Sequence, residues 1–159
     1  NSLKTTMKFD ILLNLEDYKK IVELFIDSNN IGYSHTLLQV DGEFLIEHID
    51  SLENILKKNQ ENSSLLDIFY TKVLNYYQTK DNSDVQIEKY LIKQMKIRED
   101  LNLKNLYKGY IFLAKFYKKV NKMDLYEFYR NKLIINLEQT EDKVVVEGIR
   151  NRYKLEFNL

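Results

Sequence analysis

Cysteine and proline are absent from the 159 residues, and glycine occurs only four times. Without cysteine there is no disulfide framework and no thiolate nucleophile, which is compatible with a reducing compartment, and a cytoplasmic protein is expected. Proline and glycine punctuate sheets and turns, so their scarcity favours long helices. Charge of one sign is lacking as well. The 24 basic and 24 acidic side chains cancel, which removes the global electrostatic argument for nucleic acid or an anionic membrane. No apolar run approaches the ~20 residues of a membrane span, so no membrane partner is expected. The first residues do not read as a signal peptide. Asn1 is not an initiator Met, and the chain reads equally as an excerpt of a longer protein or as a processed end.

Residues for chemistry are sparse. Only His35 and His48 are present, whereas a mononuclear metal site normally takes three or four protein ligands. Glu47 adjoins His48, but helical neighbours point about 100° apart. No HExxH occurs, and no Glu precedes either histidine by three, so the di-iron bundle motif is missing too. The chain has no Walker loop, no GxGxxG and no GxSxG. Carboxylate pairs such as Glu16/Asp17 and Glu141/Asp142 fall in predicted first turns, where the helix dipole accounts for them. No catalytic residue, metal site or cofactor is assigned, and the protein is not expected to be an enzyme.

What is present is a folded composition, 44% hydrophobic and 30% charged, with apolar residues recurring at spacings of three and four. Leu106, Tyr110, Leu113, Ala114 and Tyr117 form one stripe. Leu125, Phe128, Tyr129, Leu133 and Leu137 form the next, across a joint at 120–123 short enough to force an antiparallel neighbour. Upstream, Leu66, Tyr70, Val73, Leu74 and Tyr77 precede the polar TKDNSD, after which Ser83 and Gln86 read as a capping box. Ile87, Tyr90, Leu91 and Met95 follow. Ile49, Leu52, Ile55 and Leu56 make an earlier stripe, separated by NQENSS from the helix at Leu65. The pattern predicts helices over 2–14, 16–28, 31–41, 43–59, 64–80, 84–98, 103–120, 123–138 and 140–157. The stretch HTLLQVDGEFLI, with its Asp41-Gly42 pair, also admits two short strands, although nothing nearby supplies a third. Gly109 and Gly148, alone inside helical patterns, are read as points of close helix contact.

Equivalent triplets Ile49/Leu52/Leu56, Ile87/Tyr90/Leu91 and Leu125/Phe128/Tyr129 recur along the chain, and Leu74 and Tyr77 correspond to Ala114 and Tyr117. Such a recurrence is the signature of stacked helical hairpins, each burying a face that it cannot bury alone. The order Ala114, Tyr117, Leu125 and Phe128/Tyr129 resembles the tetratricopeptide repeat, and Leu74, Tyr77, Ile87 and Tyr90 resemble it more loosely. The resemblance covers 64–138, and more faintly 16–59. The repeat here is longer than the usual ~34 residues, Leu74 replaces the family's small residue, and the closing proline is missing. Longer repeats of this sort are similar to those of peptide-sensing transcription regulators of low-GC bacteria. The resemblance implies an all-α, right-handed superhelical array of antiparallel helical hairpins. It would form a single domain over 1–159, paired at 2–28, 31–59, 64–98 and 103–138 and closed by a terminal helix at 140–157.

In such an array the first helices of the hairpins line a concave wall. Side chains off the packing stripe would face it. They are Thr71, Asn75, Gln78 and Thr79, then Lys108, Ile111, Lys115 and Lys119. The first group offers amides and hydroxyls suited to an extended peptide backbone. The lysines offer charge for a carboxylate. The resemblance implies peptide binding from these same first-helix positions. The expectation is a non-catalytic module for a peptide or protein partner. The alternative is a scaffold or homodimerisation domain without a groove, since the last helix, with Val144, Val145, Val146 and Ile149, is broadly apolar for a cap. The basic-aromatic run KFYKKVNK at 115–122 can bind single strands in principle, but it fits a packed helix with lysines in its last turn better, so nucleic acid is not an expected partner. Most of the twelve tyrosines are assigned to helix seams, where an apolar ring with a polar tip is at home.

Overall fold

The computed structural model describes residues 2–58, 63–101 and 106–159, and every regular element among them is helical. The elements are α1 (Ser2–Asn14), α2 (Tyr18–Ser28), α3 (Ser34–Leu37), α4 (Gly42–Leu45), α5 (Ile49–Lys57), α6 (Ser63–Gln78), α7 (Asp84–Asp100), α8 (Leu106–Lys119), α9 (Met123–Gln139) and α10 (Lys143–Phe157). Short 3₁₀ turns occupy Ile31–Tyr33 and Ile46–His48. Of the expected polar break NQENSS, residues 59–62 lie outside the described residues and Ser63 and Ser64 already belong to α6, and the helix start expected at 103 also lies outside the described residues. None of the described helices is long and apolar enough to cross a membrane.

The all-α expectation holds among the described residues, and the strand alternative at HTLLQVDGEFLI gives way to α3 and α4. The long helices expected over 31–41 and 43–59 are nonetheless broken. Gly42 opens α4 in close approach to α6. A Cβ there would lie 2.5 Å from the Lys72 carbonyl oxygen and 3.0 Å from the Tyr76 Cβ. Only glycine lets the two backbones come that near. The 3₁₀ turn at Ile46–His48 then separates α4 from α5.

Asparagine takes the part that glycine usually plays at helix ends. Asn29, Asn82, Asn121 and Asn158 hold φ between 45° and 57°, a left-handed conformation that asparagine tolerates because its short amide bonds locally. The Asn29 N–H donates to the carbonyls of Phe25 and Ile26, closing α2. At helix starts, the Asp17 carboxylate accepts from the Lys20 N–H and the Asp142 carboxylate from the Val145 N–H. The two acidic residues are therefore N-caps rather than first-turn residues. The expected capping box at Ser83 and Gln86 does not form. The Gln86 Oε1 is buried without a hydrogen bond, and the Ser83 hydroxyl donates to the Asp81 carbonyl.

The chain divides into two compact units, Asn1–Tyr90 and Leu91–Leu159. In the first, α1 packs on α2, and both α4 and α5 pack on α6. Its core joins Phe9, Ile21, Val22 and Phe25 to Leu45, Leu52, Leu56, Phe69, Tyr70 and Val73, all buried. In the second, α8 and α9 pack along each other as a hairpin around Leu113, Ala114, Tyr117, Leu133 and Leu137. There a Cβ on Gly109 would overlap the Met95 sulfur, so the expected close contact at Gly109 is real. Gly148 meets nothing within 4 Å and is not a contact point.

Corresponding features recur in the two units, at the matched positions Tyr77 and Tyr117 on the earlier helices and, on the later ones, at Tyr90 and at Tyr129, one residue past the matched Phe128. In the first, Tyr77 stacks on Tyr90 with centroids 5.8 Å apart and planes at 10°. In the second, Tyr117 stacks on Tyr129 at 5.5 Å and 8°. Each stacked ring on the earlier helix carries an edge-on neighbour one residue before it, Tyr76 at 72° and Phe116 at 70°. The joint beside each stack holds a left-handed asparagine, Asn82 and Asn121. The third triplet, however, is not equivalent. Leu125 and Phe128 are exposed, and Tyr126 is buried in their place, because the inner face of α9 turns toward α10, where the Tyr126 ring meets Phe157 at 6.3 Å.

A left-handed joint penalises a branched side chain and tolerates glycine. Asn121→Val is expected to lower unfolding free energy by about 1–2 kcal/mol, and Asn121→Gly to leave it within roughly 0.5 kcal/mol, by urea denaturation. Equal losses in both variants would mean that the asparagine side chain, not the backbone angle, is what matters.

Candidate functional site

The polar positions predicted on α6 share one exposed surface. Thr71, Asn75, Gln78 and Thr79 are all exposed, on the face opposite the buried Phe69, Tyr70, Val73 and Leu74. The Thr71 hydroxyl donates to the Asp67 carbonyl at 2.9 Å, and the Thr79 hydroxyl to the Tyr76 carbonyl at 2.7 Å. Both hydroxyls therefore fold back on their own helix. Asn75 lies in an open hollow of about 270 Å³, walled by Asp41, Gly42, Glu43, Lys72 and Tyr76. The close approach at Gly42 sets the acidic turn beside α6, and so shapes the hollow. Sequence reading missed Lys72 and Tyr76 as walls of the hollow that holds Asn75. The spacing from 72 to 75 and 76 was the available signal.

The positions predicted on α8 fall in the second unit and differ among themselves. Ile111 is buried, so it belongs to the packing of α8 and not to an open wall; the inward face of α8 is broader than the stripe read from sequence, taking in Ile111 and Phe116 as well. Lys115 is turned to α10, pairing with Glu156 at 3.2 Å and lying 4.8 Å over the Tyr153 ring. Lys108 and Lys119 are exposed. The lysines of KFYKKVNK are likewise drawn into structure. Lys118 donates to the Glu156 carbonyl at 2.9 Å, and Lys122 lies 5.9 Å over the Tyr117 ring. The Tyr126 hydroxyl reaches the same Glu156 carbonyl, and Arg130 reaches those of Phe157 and Asn158. Together these donors and cations cap the C-terminal end of α10, where the helix dipole favours them.

A polar network lies behind a second hollow in the first unit. This hollow, about 370 Å³, is walled by residues 46–51 with Tyr77, Lys89 and Tyr90. His48 lines it, while His35 is exposed elsewhere. Among the described residues no three His, Asp or Glu are grouped to hold a metal ion. Beneath the hollow Glu53 is buried, and its carboxylate accepts from the Tyr70 hydroxyl at 2.6 Å and from Lys57 at 2.5 Å. A buried carboxylate needs such donors. Burial pushes the Tyr90 hydroxyl up to about 12, with Tyr77, Glu53 and Asp50 adding to the effect. In the second unit burial and the hydrogen bond to Glu99 raise Tyr110 to about 12 as well.

These tyrosines make stability fall in alkali. Below the ordinary value of 10 both folded and unfolded chains keep the protons. Between 10 and 12 only the folded chain keeps them, so the contribution is lost as pH climbs through that window. Unfolding free energy measured from pH 8 to 12 is expected to be flat and then to drop above about 10. Tyr70→Phe is expected to cost about 1.5–3 kcal/mol at pH 7 by leaving Glu53 short of one donor. A variant as stable as the parent would show that the partners left to Glu53 satisfy the carboxylate without Tyr70. No family model, no curated protein and no solved structure matches this chain.

Proposed function

We propose that the chain is a non-catalytic helical-repeat module that holds a peptide or protein segment, and that the segment lies on α6 in the first unit. The observation that carries this reading is the hollow at Asn75. A side-chain amide, which both donates and accepts, stands there beside an ammonium and two carboxylates at Lys72, Asp41 and Glu43, with Gln78 and Thr79 exposed further along the same helix. An extended backbone offers alternating N–H and C=O groups, and an asparagine can pair with both. The internal repetition of the tyrosine stacks supports the resemblance to tetratricopeptide repeats and, with it, the expectation of a peptide partner. A sensing role, as in the regulators whose repeats are similar, would further require the ligand to bind two conformations of the module with unequal affinity.

Lys115, already paired with Glu156, contributes little to this surface, and Ile111 none. Peptides selected against the protein from a phage-displayed random library supply the probe. Their affinity is expected to fall about 3- to 10-fold in Asn75→Ala, the worth of one neutral hydrogen bond, and to be unchanged in Lys115→Ala. Binding that survives both Asn75→Ala and Gln78→Ala removes the assignment to α6.

A further inference from the structure

The outward face of α1 carries Leu3, Met7 and Ile11, and Leu15 follows just past its end. They are exposed to 73, 56, 55 and 70%. Single apolar side chains on a surface need no explanation, but a row of four does. Residues four apart form one ridge on a helix. This ridge lies opposite Phe9, which is buried on the Tyr33 ring at 4.7 Å. At 100° per residue Lys8 and Asp10 fall on opposite flanks of the ridge. On the Lys8 flank an open hollow of about 330 Å³ between α1 and α2 is lined by Ile11, Leu12 and Leu24 together with the charged Lys8, Lys20, Glu23 and Asp27, and the exposed Lys4 falls on the same side, between Ile11 and Leu15. Lys8 and Asp10 are both exposed, and neither has an ion-pair partner among the described residues.

We propose that a second copy of this chain covers the ridge, with α1 packed on α1 and the two helices running in the same sense about a two-fold axis. Two such ridges interdigitate at a crossing of about −50°, with Met7 and Ile11 at the centre. The charges that α1 itself carries beside the ridge, Lys4 and Lys8 on one flank and Asp10 on the other, choose both the occupant and its direction. In the same-sense pair the Lys8 flank of each helix faces the Asp10 flank of the other, twice by symmetry. In an antiparallel pair Lys8 would face Lys8 and Asp10 would face Asp10. A patch of this kind, on the order of 300–600 Å², falls short of the ~800 Å² that each partner gives a standard interface, so the dimer is weak and forms at micromolar concentration or above. None of these residues lines the hollow at Asn75, so this dimer and the peptide reading stand or fall separately.

Sedimentation equilibrium of the whole chain over a wide concentration range tests the arrangement. Self-association is expected between roughly 1 and several hundred micromolar. Met7→Glu and Ile11→Glu, both at exposed positions, are expected to weaken it at least ~10-fold with unchanged circular dichroism. Lys8→Asp is expected to weaken it several-fold, and Lys8→Asp with Asp10→Lys to restore it to within about 2-fold. A chain that stays monomeric at several hundred micromolar overturns the proposal and leaves the ridge to some other protein. So does a dimer untouched by either glutamate, or a charge reversal that fails to restore association.

Discussion

A tyrosine laid flat on another tyrosine, next to a left-handed asparagine, ties the helices on either side of two joints, α6 to α7 and α8 to α9. At Tyr77/Tyr90 and again at Tyr117/Tyr129 the two rings lie nearly parallel, and each pair joins the helix before a joint to the helix after it. Such a pair adds about 0.5–1.5 kcal/mol beyond the area that it buries. It also does something that aliphatic packing cannot, because a broad flat ring fixes the rotation of one helix against the next. The joint can then be short and free of glycine, since asparagine supplies the one positive φ that it needs. The absence of proline and the scarcity of glycine are thus compensated at particular residues, and the many tyrosines are explained chiefly as parts of seams.

The fold was legible wherever one face of a helix was uniformly apolar. α6, α8 and α10 fall within a few residues of their expected bounds for that reason. Legibility failed where burial depends on a neighbour distant in sequence. The expected stripe on α9 put Leu125 and Phe128 inside, but α10 draws Tyr126 inward, and no periodicity within α9 itself records that. The long helix expected over 43–59 failed differently. Its apolar spacing was helical throughout, yet a 3₁₀ turn at Ile46–His48 divides it, and the close approach of Gly42 to the Lys72 carbonyl just before it is a tertiary contact that local pattern does not record. The polar face of α6 was readable from its spacing alone. The hollow beside it was not, because three of its walls come from residues 41–43. Lys115 looked like a groove residue because it lies off the apolar stripe, and only the presence of Glu156 and Tyr153 shows where its charge is spent.

The ionic groups divide into those that complete the fold and those left over. Glu53 is held by Tyr70 and Lys57. Glu99 accepts from both Tyr110 and Lys132. Lys118 and Arg130 serve the end of α10. In each case a tyrosine hydroxyl or a long cation reaches a carboxylate or a helix-end carbonyl, and for the buried Glu53 that contact replaces lost solvation. A composition with zero net charge therefore does not describe an inert surface. Many of its charges are internal fittings, and what remains for recognition is set by which groups escape that use.

The two surfaces that escape it have opposite chemistry, and this bears on how one chain can carry both. Around Asn75 the hollow is polar, with acceptors and donors of both signs. Such a surface holds a ligand through directional hydrogen bonds, which discriminate by the polar groups that a wrong ligand would leave unpaired. Along α1 the ridge is apolar, with Lys4 and Lys8 beside it on one flank and Asp10 on the other. An apolar ridge alone is permissive toward partners, and Lys8 and Asp10 are what restrict it, because only a copy that matches them in sense avoids like charges in contact. On the proposed readings the first surface would select by satisfying polar groups and the second by excluding the wrong charge. Neither mechanism requires the other, and each rests on a helix whose opposite face is fixed in the core by an aromatic residue, Tyr70 on α6 and Phe9 on α1.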